Sequence, residues 1–378
     1  MLLKKQIRIL FLCDEIEGTT GGTEQNIAFL LNNLPGWNYQ VRLALLRKGN
    51  SFPNEFKSFN PLLLNLASFR NLPKVFRTIL LIRKIIRKEK IDILQVYFRD
   101  SELLGALSFL KSPKCKLVIA RRSLQYDDNR FVLHRSKVIK HVASHYLVNS
   151  LSIKKELINR EKIDEKKIQV LYNPVNLPRA QNGLLNKFDK NISNLKEHHL
   201  IVGIVANIRP VKDFETFFKA AKIVKDELPK TKFVVVGSLD QKYWKRISYL
   251  INNTALKDCV LLLENVDNPF KVIPYFDVGV LTSTSEGLSN SLIEYAISAV
   301  PAVATDVGGN GEVVVDNDSG FLVPPSSPEL VADKILELLK DKHKRLKMGL
   351  KAKDHILTKF NKDKIMSEYN SFYNSIVY

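Results

Sequence analysis

Cysteine is scarce in this chain, with three in 378 residues. Cys13, Cys115 and Cys259 lie far apart and form no CxxC pair. That spacing excludes a disulfide framework and a cysteine-based zinc site, and it points to a reducing compartment. No apolar run reaches the roughly 18 residues that a membrane-spanning helix needs. The opening stretch MLLKKQIRILFLCDE is broken by Lys4, Lys5 and Arg8 and ends in acids, so it reads as a first strand rather than a signal peptide. The expectation is a cytoplasmic protein. Short-period repeats and low-complexity tracts are missing too. So are the dinucleotide fingerprint GxGxxG, the phosphate loop GxxxxGK[ST] and any nucleic-acid-binding signature. Acids are sparse in one half only. Residues 1–200 carry 35 Lys+Arg against 17 Asp+Glu, and the remainder carries 23 against 22, so almost the whole net charge of +19 sits in the first half. Such asymmetry suggests that one domain meets a polyanion, either nucleic acid or an anionic membrane surface.

What is present is a globular composition, 45% hydrophobic and 26% charged. The length exceeds the roughly 250 residues at which single domains usually stop, so two domains are expected. Short β-like runs alternate with helical patterns, as in IRILFLC (7–13), IDILQVY (91–97), CKLVIA (115–120) and HYLVNS (145–150). The first is followed by a helix with Ile27, Leu30, Leu31 and Leu34 on one side. The rhythm fails over 171–199, rich in Asn, Pro and Lys, and restarts with LIVGIVANI (200–208), KFVVVGS (232–238), CVLLL (259–263), FDVGVL (276–281) and PAVAT (301–305). Strand–helix alternation of this kind implies parallel sheets covered by helices. The expected division is a first Rossmann-like domain over 1–178, a linker over 179–199 and a second Rossmann-like domain over 200–360, with a cleft between the two. Helical patterns at 328–358 and 361–377 close the chain, and the terminal helix 361–378 is expected to join the first domain.

Three loops carry candidate chemistry. In EGTTGGTEQN (17–26), Gly21 and Gly22 stand just ahead of a helix, where glycine lets backbone N–H groups approach an anion. An ordinary strand–helix turn is equally compatible. In ANIRPVKDFETF (206–217), Arg209 and Lys212 follow a strand and precede a helix, the position where open α/β sheets bind ligands. Two cations there suit a diphosphate, although a solvated basic loop would look the same. The third stretch is SEGLSNSLIEYA (285–296). Ser291 and Glu294 match an S-x-x-E capping box, which would fold Glu294 back onto the backbone. Alternatively the helix starts near Ser289. The N–H groups of Gly287, Leu288, Ser289 and Asn290 then face an anion, and Glu286 and Glu294 flank a ligand whose hydroxyls they accept.

The order of features over 282–325, TSTSEGLSNSLIEYAISAVPAVATDVGGNGEVVVDNDSGFLVPP, resembles the family-4 (group 1) glycosyltransferases, which have the two-domain GT-B fold. Their E-x7-E motif is matched by Glu286 and Glu294, their N-terminal glycine loop by GGTE (21–24), and the segment ahead of their linker by VLYNPVN (170–176). The resemblance implies a retaining transfer of sugar from a nucleotide donor, expected to be a UDP-sugar, to a glycan or lipid-linked acceptor in polysaccharide or glycolipid synthesis. It implies that Glu286 contacts the donor sugar and Glu294 the ribose. Arg209 and Lys212 would neutralise the leaving diphosphate, Gly22 would lie against the donor, and Gly308 and Gly309 would border the sugar pocket. Many members carry an arginine where this chain has Asn207, and a histidine near the place where it has Arg121 and Arg122. Those two arginines are therefore candidates for the acceptor region. DND (316–318) formally matches a metal-binding DxD but reads as a turn ahead of GFLVP, so no metal or other cofactor is expected.

KVFRTILLIRKIIRKEK (74–90) is expected to be a helix with Val75, Ile79, Ile82 and Ile86 on one stripe, and Arg77, Leu81, Lys84 and Lys88 on another. It can lie on an anionic membrane surface, or pack into the core with a solvated basic face. With the charge bias, this makes a peripheral position at the inner face of the cell membrane the expectation, and nucleic acid is not expected as a partner. A sugar-nucleotide epimerase of the same architecture and a basic nucleic-acid binder are the competing functions.

Overall fold

The computed structural model describes residues 6–18, 21–49, 52–66, 68–109, 115–123, 139–175, 180–182, 190–252, 256–264 and 266–378. Two compact units result: residues 1–174 with 362–378, and residues 175–361.

In the first unit seven parallel strands run in the order β3-β2-β1-β4-β5-β6-β7. They are β1 (Ile7–Cys13), β2 (Tyr39–Leu45), β3 (Leu62–Leu63), β4 (Ile93–Tyr97), β5 (Lys116–Arg121), β6 (His145–Val148) and β7 (Ile168–Val170). The central strands are buried along nearly their whole length, as parallel strands covered on both faces must be. Helix α1 (Gly22–Asn33) turns Ile27, Ala28, Leu30 and Leu31 inward. Helix α2 (Leu72–Lys88) is capped by Asn71, whose side chain accepts from the Lys74 N–H, and it buries Ile82 and Ile86 with Val75 and Ile79 packed beside them. Its apolar stripe therefore faces the core. Helix α3 (Arg99–Phe109) follows β4.

The second unit has six parallel strands in the order β10-β9-β8-β11-β12-β13. These are β8 (Leu200–Val205), β9 (Thr231–Val236), β10 (Val260–Leu263), β11 (Val278–Leu281), β12 (Ala302–Thr305) and β13 (Gly320–Val323). The stretch expected as a linker, 179–199, ends instead in helix α4 (Lys190–His198). Lys196 on that helix pairs with Asp277 at 2.5 Å, and Ser193 bonds to Tyr275. The buried Asp277 also accepts from the Ile201 N–H and pairs with Arg345. A carboxylate ahead of β11 thus ties the helix to the sheet, an anchor that local composition does not announce. Helix α5 (Phe214–Glu227) follows β8, and α6 (Asn290–Ile297) follows β11. The long helical pattern at 328–358 is two helices, α7 (Pro328–Lys340) and α8 (Lys342–Lys359). The break falls at Asp341, which caps the second by accepting from the Lys344 N–H. The last helix, α9 (Lys362–Val377), belongs to the first unit, where the Tyr373 hydroxyl donates to Gln95 on β4.

Candidate functional site

In both sheets the strand order reverses at one place, between β1 and β4 in the first unit and between β8 and β11 in the second. Connections leave in opposite directions there, which opens a crevice beyond the carboxyl ends of the strands. The second unit concentrates polar groups at that point. The loop after β8 forms a short 3-10 turn, Pro210–Lys212. Asp213 then takes a left-handed conformation, φ 45°, and caps α5 by accepting from the Thr216 N–H and hydroxyl. The loop after β11 is sewn to it. The Thr282 hydroxyl bonds to the Lys212 and Asp213 carbonyls, and the Thr284 N–H donates to the Val211 carbonyl.

This stitching brings Lys212 and Glu286 together. Lys212 Nζ lies 2.5 Å from Glu286 Oε1, and the Ser283 hydroxyl donates to the same oxygen at 2.6 Å. Glu286 is only 11% exposed, so the pair is shielded from bulk water yet still reachable. Behind it, the Thr305 hydroxyl at the end of β12 donates to the Ser283 carbonyl, and Asn310 donates to the Thr305 carbonyl. Gly308 closes the wall. With φ +57°, it brings its backbone so near that an added Cβ would meet the Glu286 carbonyl oxygen at 1.7 Å. Any side chain there must displace Glu286. Gly309 caps the four-residue helix Asn310–Val313 that follows. Arg209, by contrast, is exposed and is not brought to Glu286.

Of the two helix starts that the sequence left open, the structure has the earlier. Ser289 is the N-cap of α6, accepting from the Leu292 N–H. Ser291 therefore stands inside the helix and gives its hydroxyl to the Val205 carbonyl, so the S-x-x-E box does not form. The first N–H groups of α6 lack intrahelical acceptors, which makes its start, three residues past Glu286, favourable for an anion. Glu294 is 9% exposed and lies on the second turn. Eight residues past Glu286, it is buried. Leu288 and Ser289 are buried as well.

Two positioning residues escaped the sequence reading, Ser283 and Tyr295. The Tyr295 hydroxyl accepts from the Val205 N–H at 2.7 Å and donates to the Val280 carbonyl. Its ring occupies the space left by Gly279, where a Cβ would meet it at 2.5 Å. Burial pushes the phenol well above its ordinary pKa, so it stays a donor. Tyr295 thus bolts α6 to the end of β8 and β11. Tyr295→Phe leaves the Val205 N–H without this acceptor in the interior. Thermal or urea unfolding should show a loss of about 1–2 kcal/mol; unchanged stability would show that the hydroxyl holds nothing.

At the reversal point of the first unit lies a cavity of about 450 Å3, lined by residues that include Asp14, Thr23, Phe98, Asp100 and Arg122. Asp14 accepts from the N–H groups of Asp100 and Ser101 at the start of α3, and burial raises its pKa. Gly21 and Gly22 are in this unit, opening α1, with the Glu24 carboxylate against Gly21. The two arginines given to the acceptor region both line this cavity, and both also hold the fold together. Arg121 is buried in a structural ion cluster, with two bonds to Glu102 at 2.6 and 2.9 Å and one to Glu161 at 2.9 Å. Burial opposes its charge, but the two carboxylates outweigh that and hold its pKa above the ordinary value. Arg122 uses its two Nη atoms on Asn26, Asn173, Tyr369 and the Leu171 carbonyl, joining α1, the segment after β7 and α9. Residues 124–138, which follow these arginines, lie outside the described residues. In DND (316–318), Asp316 accepts from the Leu322 N–H, Asn317 is left-handed and Asp318 pairs with Lys351, as in a turn.

The group 1 glycosyl transferase family matches residues 186–355, and glycosyltransferase family 4 matches residues 20–179. The chain belongs to the family-4, group 1 glycosyltransferases. The transferase is similar to the N-acetyl-alpha-D-glucosaminyl L-malate synthase of Bacillus anthracis, 30% identical over 255 residues, which span 66% of this chain and 62% of that protein. It is similar to the capsular polysaccharide biosynthesis glycosyltransferase CapM of Staphylococcus aureus, 25% identical over 336 residues, 86% of this chain and 87% of that one. Its fold is that of Anabaena HepE, solved in complex with UDP, with a TM-score of 0.81, 19% identity, and 98% and 100% of the two chains covered. Both units of the transferase are thus the Rossmann-like halves of the GT-B fold.

Proposed function

We propose that the enzyme moves a sugar from a nucleotide donor, a UDP-sugar, to a glycan or lipid-linked acceptor with retention at the anomeric carbon, in the synthesis of a polysaccharide or glycolipid. The observation that carries this reading is the Lys212–Glu286 pair at the β8/β11 reversal, beside the start of α6. A nucleoside diphosphate leaving group needs positive charge and N–H donors where its own charge grows, and a lysine ammonium next to a helix N-terminus supplies both. Glu286, turned toward Lys212, is suited to accept from the hydroxyls of a sugar attached to that diphosphate, and Glu294, eight residues on, to accept from the ribose. The relatives support a place in surface-glycan synthesis, since CapM is named for capsular polysaccharide. The UDP held by HepE supports the choice of nucleotide. We place the work at an anionic membrane surface, reached through the basic first unit.

The test is a panel of nucleotide sugars offered to the full chain, first by thermal shift and then with acceptor. A donor that binds the folded state raises its apparent stability. UDP-sugars should raise the melting temperature and be consumed only when acceptor is present. Epimerisation of the donor without acceptor would overturn the transfer reading.

A further inference from the structure

We propose that helix α2 (Leu72–Lys88) is the docking face of the first unit on an anionic lipid surface, through the side opposite its core stripe. The inference deepens the membrane placement above and rests on it, but it is independent of the donor and of the acceptor. Of the fourteen large hydrophobic side chains exposed among the described residues, four are on this helix: Leu72 at 72%, Phe76 at 62%, Leu80 at 46% and Leu81 at 38%. So high a share on one element is not the scatter expected of an ordinary surface. Leu72, Phe76 and Leu80 follow one another at i, i+4 and i+8, and so form a single exposed ridge.

Cations border that ridge. Lys84 and Lys88 continue the same progression, and Arg77, Leu81, Lys84 and Lys88 form the next stripe. All are exposed, and no Asp or Glu occurs from Leu72 to Lys88. The acid that follows, Glu89, is held by Arg42 at 2.6 Å. Helix α8 makes a useful contrast. It exposes Leu346 and Leu350, but its Lys344 and Lys351 are paired with Glu337 and Asp318, and Asp354 is exposed on the helix itself. Helix α2 carries four exposed hydrophobes to the two of α8, and no acid along its length. Apolar side chains ringed by cations suit the boundary between phospholipid headgroups and acyl chains, where the former attract Lys and Arg and the latter receive Phe and Leu. A nucleic acid offers the charge but no apolar layer. Among the described residues no helix is long and apolar enough to cross a membrane, so α2 would lie on the surface.

The experiment is co-sedimentation of the full chain with vesicles of phosphatidylcholine alone, or phosphatidylcholine mixed with phosphatidylglycerol. The wild type should bind the anionic vesicles, and release with rising salt. Phe76→Ser with Leu80→Ser, and separately Lys84→Gln with Lys88→Gln, should each weaken binding about tenfold or more. Both variants should keep the wild-type melting temperature and the ability to bind a nucleotide sugar. A wild type that ignores anionic vesicles would overturn the membrane placement and the docking face together. Equal binding by wild type and both variants would overturn the docking face alone. Undiminished binding to phosphatidylcholine would overturn the requirement for anionic lipid.

Discussion

Glu286→Ala is expected to reduce sugar transfer by about a thousandfold or more while the chain stays folded. The side chain stands at the centre of the reversal-point site. It takes Lys212 and Ser283 on one oxygen, and the close approach of Gly308 fixes its backbone. On the proposed roles, removing it loses the carboxylate that would face the donor sugar and frees Lys212 to move off the place proposed for the diphosphate. The fold should tolerate the change. Lys212 is 23% exposed and can turn to water, so the stability loss should be about 1–2 kcal/mol, as for partly exposed pairs. Product formation and a melting curve on the same preparation separate the two effects. Near-normal turnover in this variant would refute the role of Glu286.

Lys212→Ala should raise the barrier to transfer by about 2–4 kcal/mol, roughly 30- to 1,000-fold in kcat/KM. The sequence offered both Arg209 and Lys212 to a diphosphate, Lys212 the more firmly because many members carry their arginine at the place of Asn207, and the structure brings Lys212 to Glu286. Lys212 closes a 3-10 turn whose carbonyls are held by Thr282, and its ammonium is already at Glu286. Arg209 is exposed three residues earlier and is not brought to Glu286. Arg209→Ala should therefore cost about tenfold or less. Steady-state kinetics with a saturating acceptor measures both. An Arg209 effect equal to or larger than that of Lys212 would mean that the loop closes differently on the donor.

Much of this was legible in the sequence because hydrophobic periodicity is local. Buried parallel strands such as LIVGIV and IRILFLC show as apolar runs, and the reversal-point loops follow them directly. Strands with mixed or very short patterns did not stand out. β2 carries Arg42 in its middle, and β7 has only three residues. The start of α6 could not be read, because Ser289 and Ser291 are both good caps. Tertiary contacts decided it, since Val205 claims the Ser291 hydroxyl from 86 positions away. The structural ties of the arginines after β5 were hidden for the same reason. Their partners, Glu102, Glu161, Asn26 and Tyr369, are distant in sequence, and a charge looks available for a ligand until its counter-charge is found.

The most direct measurement is a crystal structure of the full chain with UDP. The account predicts the diphosphate beyond the carboxyl ends of β8 and β11, its oxygens within about 3 Å of Lys212 Nζ and of the N–H groups that open α6, with the ribose hydroxyls at Glu294. A diphosphate bound away from Lys212 and from the start of α6 would contradict it.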